Sequence, residues 1–344
     1  MKLEQDQAQL LSGVMAGLTT GAPLAIHIQN RDHLKWQGQR ISAMTAPRPG
    51  HVDLVGAIKY GYSDLRPALE RASARETAAR VAVGAICKHF LAQCGIQIGS
   101  YVTALGEITA QLEPIPLLER ARLAEQSDVR CPDPQAAEKM QERIRQVMQE
   151  KDTLGGVIEV FAVGLPPGLG THVQWDQRLE ARLGSAILSV QAIKGVEIGP
   201  AFENARLTGV QVQDAIRLEG EILNRIGNRC GGIEGGISTG QPILIRAAMK
   251  PIASTLTPQA TVDLHTREET TTQYERSDFC PTPRATPILE AMTAFVLADA
   301  LLEKLGGDSM IEILPRLKDL RQAKLSDLHI LGGEHIFWPK EQDL

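Results

Sequence analysis

Four short stretches of this 344-residue chain hold side chains that could bind or move charge: RPGHVD (48–53), ERASARET (70–77), KPIAST (250–255) and ERSDFC (275–280). The first sets Arg48 and His51 around a Pro-Gly bend. The second places Arg71 and Arg75 at what reads as a helix start, and the last brings Arg276 and Asp278 together. Guanidinium groups near a helix N-terminus suit phosphate or carboxylate, because the planar fork grips two oxygens and the helix end favours negative charge. A histidine in such company could carry a proton. Taken singly, each is also compatible with an ordinary surface charge or turn residue.

A fifth stretch, GGIEGGISTGQPI (231–243), has five glycines in thirteen positions. Such a cluster makes a tight turn, a packing seam or the floor of a binding site. A phosphate-cradling P-loop ends in Gly-Lys-Ser/Thr, whereas Gly240 is followed by Gln241 and Pro242, which excludes it. A dinucleotide fingerprint opens a helix, whereas these glycines run into Ile243, Leu244 and Ile245, which read as a buried strand.

The elements that must hold these residues show an internal repeat. SGVMAGLTTGAPLAIHI (12–28) lies over GGIEGGISTGQPILIRA (231–247) at a constant offset of 219, matching Gly13 to Gly232, Gly17 to Gly236, Thr20 to Thr239, Gly21 to Gly240 and Pro23 to Pro242. A helical segment follows each copy, at 73–95 and at 286–307. In the first, Ser73 with Glu76 has the form of a capping box and Gly95 is a stop. Residues 134–156 and 176–193 read as further helices, and 156–170 as a strand leaving into a Pro-Gly loop. With no low-complexity linker, residues 1–344 are expected to form one α+β domain. Its pseudo-symmetric units are expected near 12–95 and 231–307.

Composition narrows the class. Hydrophobic content of 43% with 22% charged residues is that of an ordinary globular protein, and a formal charge of −5 argues against a general nucleic-acid binder. Five cysteines without a C-x-x-C pair read as reduced thiols rather than a disulfide framework or zinc site. The polar start MKLEQDQAQL is no signal peptide, and no apolar run is expected to approach the length of a membrane span. A cytoplasmic protein without a membrane or nucleic-acid partner is expected.

Read together, RPGHVDL, RASARETAARVAVGA, QAIKGVEIG (191–199), GGIEGGISTGQPI, KPIAST and ERSD resemble the chorismate synthase family in order and spacing, from about residue 6 to about residue 306. The resemblance implies a β-α-β sandwich with a pseudo-twofold repeat. It also implies a lyase that converts 5-enolpyruvylshikimate 3-phosphate into chorismate by 1,4-anti elimination of phosphate. It further implies reduced FMN as cofactor, reduced by an external, NADP-linked source, and a homotetramer as the usual assembly. By the same resemblance Arg48, Arg75 and Arg276 would bind the substrate's anionic groups. Arg71, Ala72, Ser73, Gln191, Ala192, Gly235, Lys250, Pro251, Ile252, Ala253, Ser254 and Arg276 would line the FMN site, with the 231–243 glycines letting flavin lie close to the main chain. His51 would handle a proton at the reduced flavin, and Asp278 would assist proton removal beside it.

The family's opening Gly-Glu-Ser-His-Gly strand and the arginine-rich segment after it have no counterpart here, so an N-terminally truncated reading frame is expected. The alternative is a catalytically impaired homologue that binds flavin or forms oligomers, since loss of a general acid costs about 100- to 10,000-fold. A generic α+β phosphate-binding module fits the arginines but not the ordered set of motifs.

Overall fold

A computed structural model describes residues 6–320, 324–334 and 337–338 of the chain. The first repeat unit is a ribbon. Ala8–Ser12 (β1) pairs antiparallel with Ala25–Ile28 (β4), and the small hairpin Val14–Met15 (β2) and Leu18–Thr19 (β3) lies between them. Helices Asp53–Tyr60 (α1), Arg66–Arg71 (α2) and Thr77–Gln93 (α3) follow, and the chain leaves α3 through Gly95 at φ 72°. Next come Gln97–Leu105 (β5), Ile108–Thr109 (β6), Leu117–Glu125 (α4) and Pro134–Gln149 (α5). The Asp133 carboxylate caps α5 by accepting from the Gln135 and Ala136 amides, with Pro134 in the first turn.

Gly156–Val163 (β7), Pro167–Gly170 (β8), Leu179–Leu188 (α6) and Ile193–Ile198 (β9) lead through the short helices Ala201–Asn204 (α7) and Gly209–Val212 (α8) to the hairpin Ala215–Glu219 (β10) and Ile222–Ile226 (β11). The second repeat unit is Ile233–Glu234 (β12), Ile237–Thr239 (β13) and Ile243–Met249 (β14). The hairpin Ala260–Asp263 (β15) and Glu268–Thr271 (β16) precedes the long helix Thr282–Leu305 (α9), and Met310–Leu320 (α10) follows it.

The main sheet is antiparallel throughout, in the order β6-β5-β7-β14-β9. Alternation along the strands sorts its faces. Ile158 and Val160 of β7 and Ile243, Ile245 and Ala247 of β14 join Leu91 of α3, Leu183 of α6 and Leu289 and Leu297 of α9 in the principal core. The opposite face carries Tyr101 and Phe161 against Ala124 of α4. It also carries a ladder of polar residues in register: Tyr101 faces Glu159, Glu159 faces Arg246, and Arg246 faces Glu197. The Tyr101 hydroxyl donates to Glu159, the Arg246 Nε donates to the other oxygen of Glu159 at 2.8 Å, and Arg120 of α4 donates to the Tyr101 hydroxyl at 3.0 Å. Burial, reinforced by the Glu159 charge, pushes the Tyr101 phenol well above its ordinary range.

The two glycine-rich stretches have similar backbones. Strands β2, β3 and β4 recur as β12, β13 and β14 at the offset already noted. Gly13 and Gly232 share φ of 83° and 82°, Gly17 and Gly236 of 80° and 96°, and Gly21 and Gly240 of 80° and 90°. The amide of Thr20 donates to the Gly13 carbonyl at 3.0 Å, and that of Thr239 donates to the Gly232 carbonyl at 2.9 Å. The helices that follow the two units, α3 and α9, pack on each other. They approach so closely that a Cβ at Gly84 would overlap Ala291. The β1–β4 ribbon touches α3 through β4.

Two sequence expectations need correction. Helix α3 begins at Thr77 rather than at Ser73, after a single 3-10 turn, Ala74–Glu76, that Ser73 caps by accepting from the Arg75 amide at 3.2 Å. No capping box forms, because the Glu76 carboxylate turns instead to Arg71, Arg80 and Gln191. Helix α9, with 24 residues, is also long and apolar enough to cross a membrane, but most of it is buried inside the molecule. Its interior Pro287 cannot donate to the Pro283 carbonyl, and the Thr286 hydroxyl does so instead at 2.9 Å.

Candidate active site

RPGHVD folds as a tight turn, with Pro49 second, Gly50 third at φ 74°, and the His51 amide donating to the Arg48 carbonyl at 3.2 Å. The turn delivers the chain into α1, so that Asp53 occupies the first helical turn. It also swings the His51 ring back against Arg48. The segment before it is tied to the β15–β16 hairpin by Thr45 Oγ1 donating to Asp263 (2.8 Å) and Thr261 Oγ1 donating to the Pro47 carbonyl (2.6 Å).

Arg48 and Asp53 are both buried, at 6% and 0% exposure. Arg48 donates to Asp53 from Nε (2.8 Å) and Nη2 (3.1 Å), and from Nη1 to the Ser254 hydroxyl (2.7 Å). His51 Nδ1 lies 2.5 Å from Asp53 Oδ1. Burial alone would raise the Asp53 carboxyl, but hydrogen bonds from His51 and Arg48 and the Arg48 charge outweigh it and hold the group far below the ordinary carboxylate range.

Hydrogen bonds join this cluster to the other stretches. Lys250 Nζ donates to the Gly50 carbonyl at 2.6 Å, and the Lys250 amide donates to the Ala192 carbonyl at 2.9 Å. The Ser277 hydroxyl donates to the Ser254 carbonyl at 2.8 Å, and Thr153 donates to the Ile252 carbonyl at 2.8 Å. Ile252, Ala253 and Ser254 are half-buried and Pro251 is exposed. Gln191 Nε2 donates to Glu76 at 2.8 Å, and Glu76 also accepts from Arg71 (2.6 Å) and Arg80 (2.7 Å). The hydrogen bond from Arg71 leads a set of donors that holds the Glu76 carboxyl below its ordinary range. Ala72 and Ser73 are half-buried beside this group. Thus 48–53, 71–76, 191–192, 250–254 and 277 are linked, although they span more than two hundred positions of sequence.

Other residues land differently. Arg75, read as lying at a helix start, pairs with Asp6 at 2.6 Å and donates to the Gln29 carbonyl at 3.3 Å, so it faces the first ribbon. Both Asp278 oxygens accept from Arg284, at 2.9 and 2.8 Å, while Arg276 beside it is exposed. Gly235 lies at the tip of the β12–β13 hairpin, which joins the end of β14 opposite to Lys250. The strand between them extends roughly 20 Å, so a single chain does not bring Gly235 to the cluster. Most of the glycines there serve packing. A Cβ at Gly232 would overlap the Pro242 carbonyl and one at Gly236 the Thr171 carbonyl, whereas Gly235 faces open space. A cavity of about 470 Å³ beside this hairpin, lined by Pro167, Ile216, Leu223, Arg225 and Ser238 among others, shares no residue with the His51 cluster.

The sequence reading missed Asp53 and Arg284 and took Glu76 only for a cap, although all three are counter-ions of the residues it singled out. The only signal was the His-x-Asp spacing inside RPGHVD.

Two of the residues named for the flavin site offer groups that a bound flavin could use. Gln191 Oε1 is buried with no hydrogen-bond partner, as an acceptor kept for a ligand N–H would be, and Lys250 adds a cation nearby. Ala192 holds an unusual φ of 65° where its carbonyl meets Lys250.

A family model described as chorismate synthase matches residues 1–302. The chain is 49% identical over 341 residues to a chorismate synthase of Chlorobaculum tepidum, covering 94% of this chain and 86% of that one. It is 49% identical over 337 residues to a chorismate synthase of Aquifex aeolicus, covering 93% and 85%. A crystal structure of chorismate synthase superposes with a TM-score of 0.76 at 45% identity, covering 92% of this chain and 84% of that one.

Proposed function

Because the chain belongs to the chorismate synthase family, we propose that it is a carbon–oxygen lyase that converts 5-enolpyruvylshikimate 3-phosphate into chorismate for aromatic amino-acid biosynthesis. The reading places it in the cytoplasm as a one-domain subunit of a homotetramer, with reduced FMN supplied by an external reductant. The observation that carries it is the hydrogen-bonded convergence of RPGHVD, QAIKG, KPIAST and the Ser277 segment on His51 and Lys250.

Reduced FMN, when bound, would supply electron density to the substrate ring as phosphate leaves and an acceptor for the C6 hydrogen. The protein positions, neutralises and manages protons. Lys250, Arg71 and Arg276 would hold the flavin phosphate and ring edge, and Gln191 Oε1 and the half-buried 252–254 main chain would complete the pocket. Arg48, with Arg75 and Arg276, would meet the substrate's phosphate and carboxylates. Arg48 does so while anchored by Asp53, which spends part of its charge inside the protein and fixes the direction of the rest. His51, with a partly exposed ring, would handle the proton at the flavin, and Asp278, oriented by Arg284, would receive one nearby.

Anaerobic mixing of the chain with chemically reduced FMN and 5-enolpyruvylshikimate 3-phosphate tests this. Chorismate and phosphate are expected in equal amounts. Saturable flavin binding without product would identify the impaired flavin-binding homologue instead, and no flavin binding at all would remove the assignment.

A further inference from the structure

Asp53 is the most enclosed carboxylate of the site, and it touches both groups on which the proposed chemistry turns. Its Oδ2 accepts from the Arg48 amide (3.1 Å) and Nε (2.8 Å). Its Oδ1 accepts from Arg48 Nη2 (3.1 Å) and meets His51 Nδ1 (2.5 Å). Four donors fill the acceptor capacity of an ionised carboxylate.

An ionised carboxylate can only accept, so the short contact to His51 requires a hydrogen on Nδ1. Arg48 Nη2, 2.9 Å from Nδ1 and 3.4 Å from Nε2, is also a donor only; it lies along the same ring edge and directs its hydrogen at Oδ1. In a neutral imidazole with Nδ1 protonated, the lone pair is on Nε2.

We propose that Asp53 is a positioning residue that holds His51 in the Nδ1–H tautomer, so that every proton His51 exchanges passes through Nε2. The same carboxylate locks Arg48, so one buried group sets both the direction of the proton carrier and the direction of the anion-binding guanidinium. The kinetic part of the proposal rests on the proposed role of His51; the tautomer does not.

Asp53→Asn is the informative change. Two donors, the Arg48 amide and Nε, need an acceptor at the Oδ2 position against one, Arg48 Nη2, at Oδ1, so the asparagine oxygen is expected at Oδ2 with its NH2 facing His51. That arrangement turns Nδ1 into an acceptor and moves the hydrogen to Nε2.

The experiment is proton–nitrogen correlation NMR on the full chain with 15N-labelled histidine, above the histidine titration. The His51 signals, assigned by their loss in His51→Ala, are expected to show Nδ1–H in the wild type and Nε2–H in Asp53→Asn. A wild-type His51 carrying its hydrogen on Nε2 would overturn the proposal, and that reading needs no folded variant and no turnover. With reduced FMN and substrate, Asp53→Asn is expected to lower kcat by about 100-fold or more but to cause little further loss in a His51→Ala background. A full second loss there would mean that Asp53 acts without His51, and would sink the positioning role. An unimpaired His51→Ala enzyme would instead refute the role proposed for His51 and leave the tautomer standing.

Discussion

Asp53 stays ionised without solvent because four donors converge on it, and its neighbours are correspondingly vulnerable. Removing one partner of a buried pair strands the other charge. Asp53→Ala should therefore cost about 3–5 kcal/mol of unfolding free energy at neutral pH. Because the folded carboxyl lies far below its unfolded value of about 3.9, its contribution is fully present above that pH and is lost as the pH falls towards the folded value. Urea unfolding of the two proteins from pH 7 downward should show the gap closing below about pH 4. A gap that persists unchanged into acid would mean that the carboxylate charge is not what stabilises the turn. Arg71 is a contrast: 78% exposed beside Glu76, it sits in a solvated pair whose worth is small.

The glycine hairpin shows how one residue type does different work within a single element. At Gly232 a positive φ coincides with a carbonyl where the Cβ would go, while at Gly235 the φ of 59° opens onto free space. Gly235→Ala should cost about 1–2 kcal/mol, the ordinary penalty of a left-handed residue with a side chain. Gly232→Ala should cost a further ~1–3 kcal/mol for the overlap. Equilibrium denaturation of both variants tests the difference, and equal costs would show that the Pro242 carbonyl gives way freely. Much at this scale was legible in the sequence. The second strand, the Gly95 stop and the Pro-Gly turn follow from backbone sterics that act over a few residues. The start of α3 was misplaced because Glu76 had a choice of partners, and Gln191, a distant residue, helped decide it.

For the molecule as a whole, the repeat places equivalent residues in unequal surroundings. Ile233 is 4% exposed, while Val14, its counterpart in the first unit, is 38% exposed, and Met15 and Leu18 beside it are more exposed still. An apolar ribbon of this kind is the sort of surface that association covers, in keeping with the proposed homotetramer. Sedimentation velocity of the full chain at micromolar concentration should give a tetramer. A stable monomer over that range would remove self-association as the cover for the ribbon and as part of the functional reading.

By itself the sequence determined the repeat and its offset, the turn at RPGH and the strand that follows the 231–243 glycines. Each is a matter of local sterics or of the period at which apolar side chains recur. Which opposite charge each ionisable group meets was decided only by the tertiary structure. Arg48 takes Asp53 and Ser254, Arg75 takes Asp6, Asp278 takes Arg284, and Glu159 gathers Tyr101 and Arg246 across three strands. Gly235 was separated from Lys250 in the same way, by the length of β14. An ion pair forms between groups that the fold brings within a few ångströms, and no local rule relates positions 48 and 254 before the sheet and its loops have closed around them.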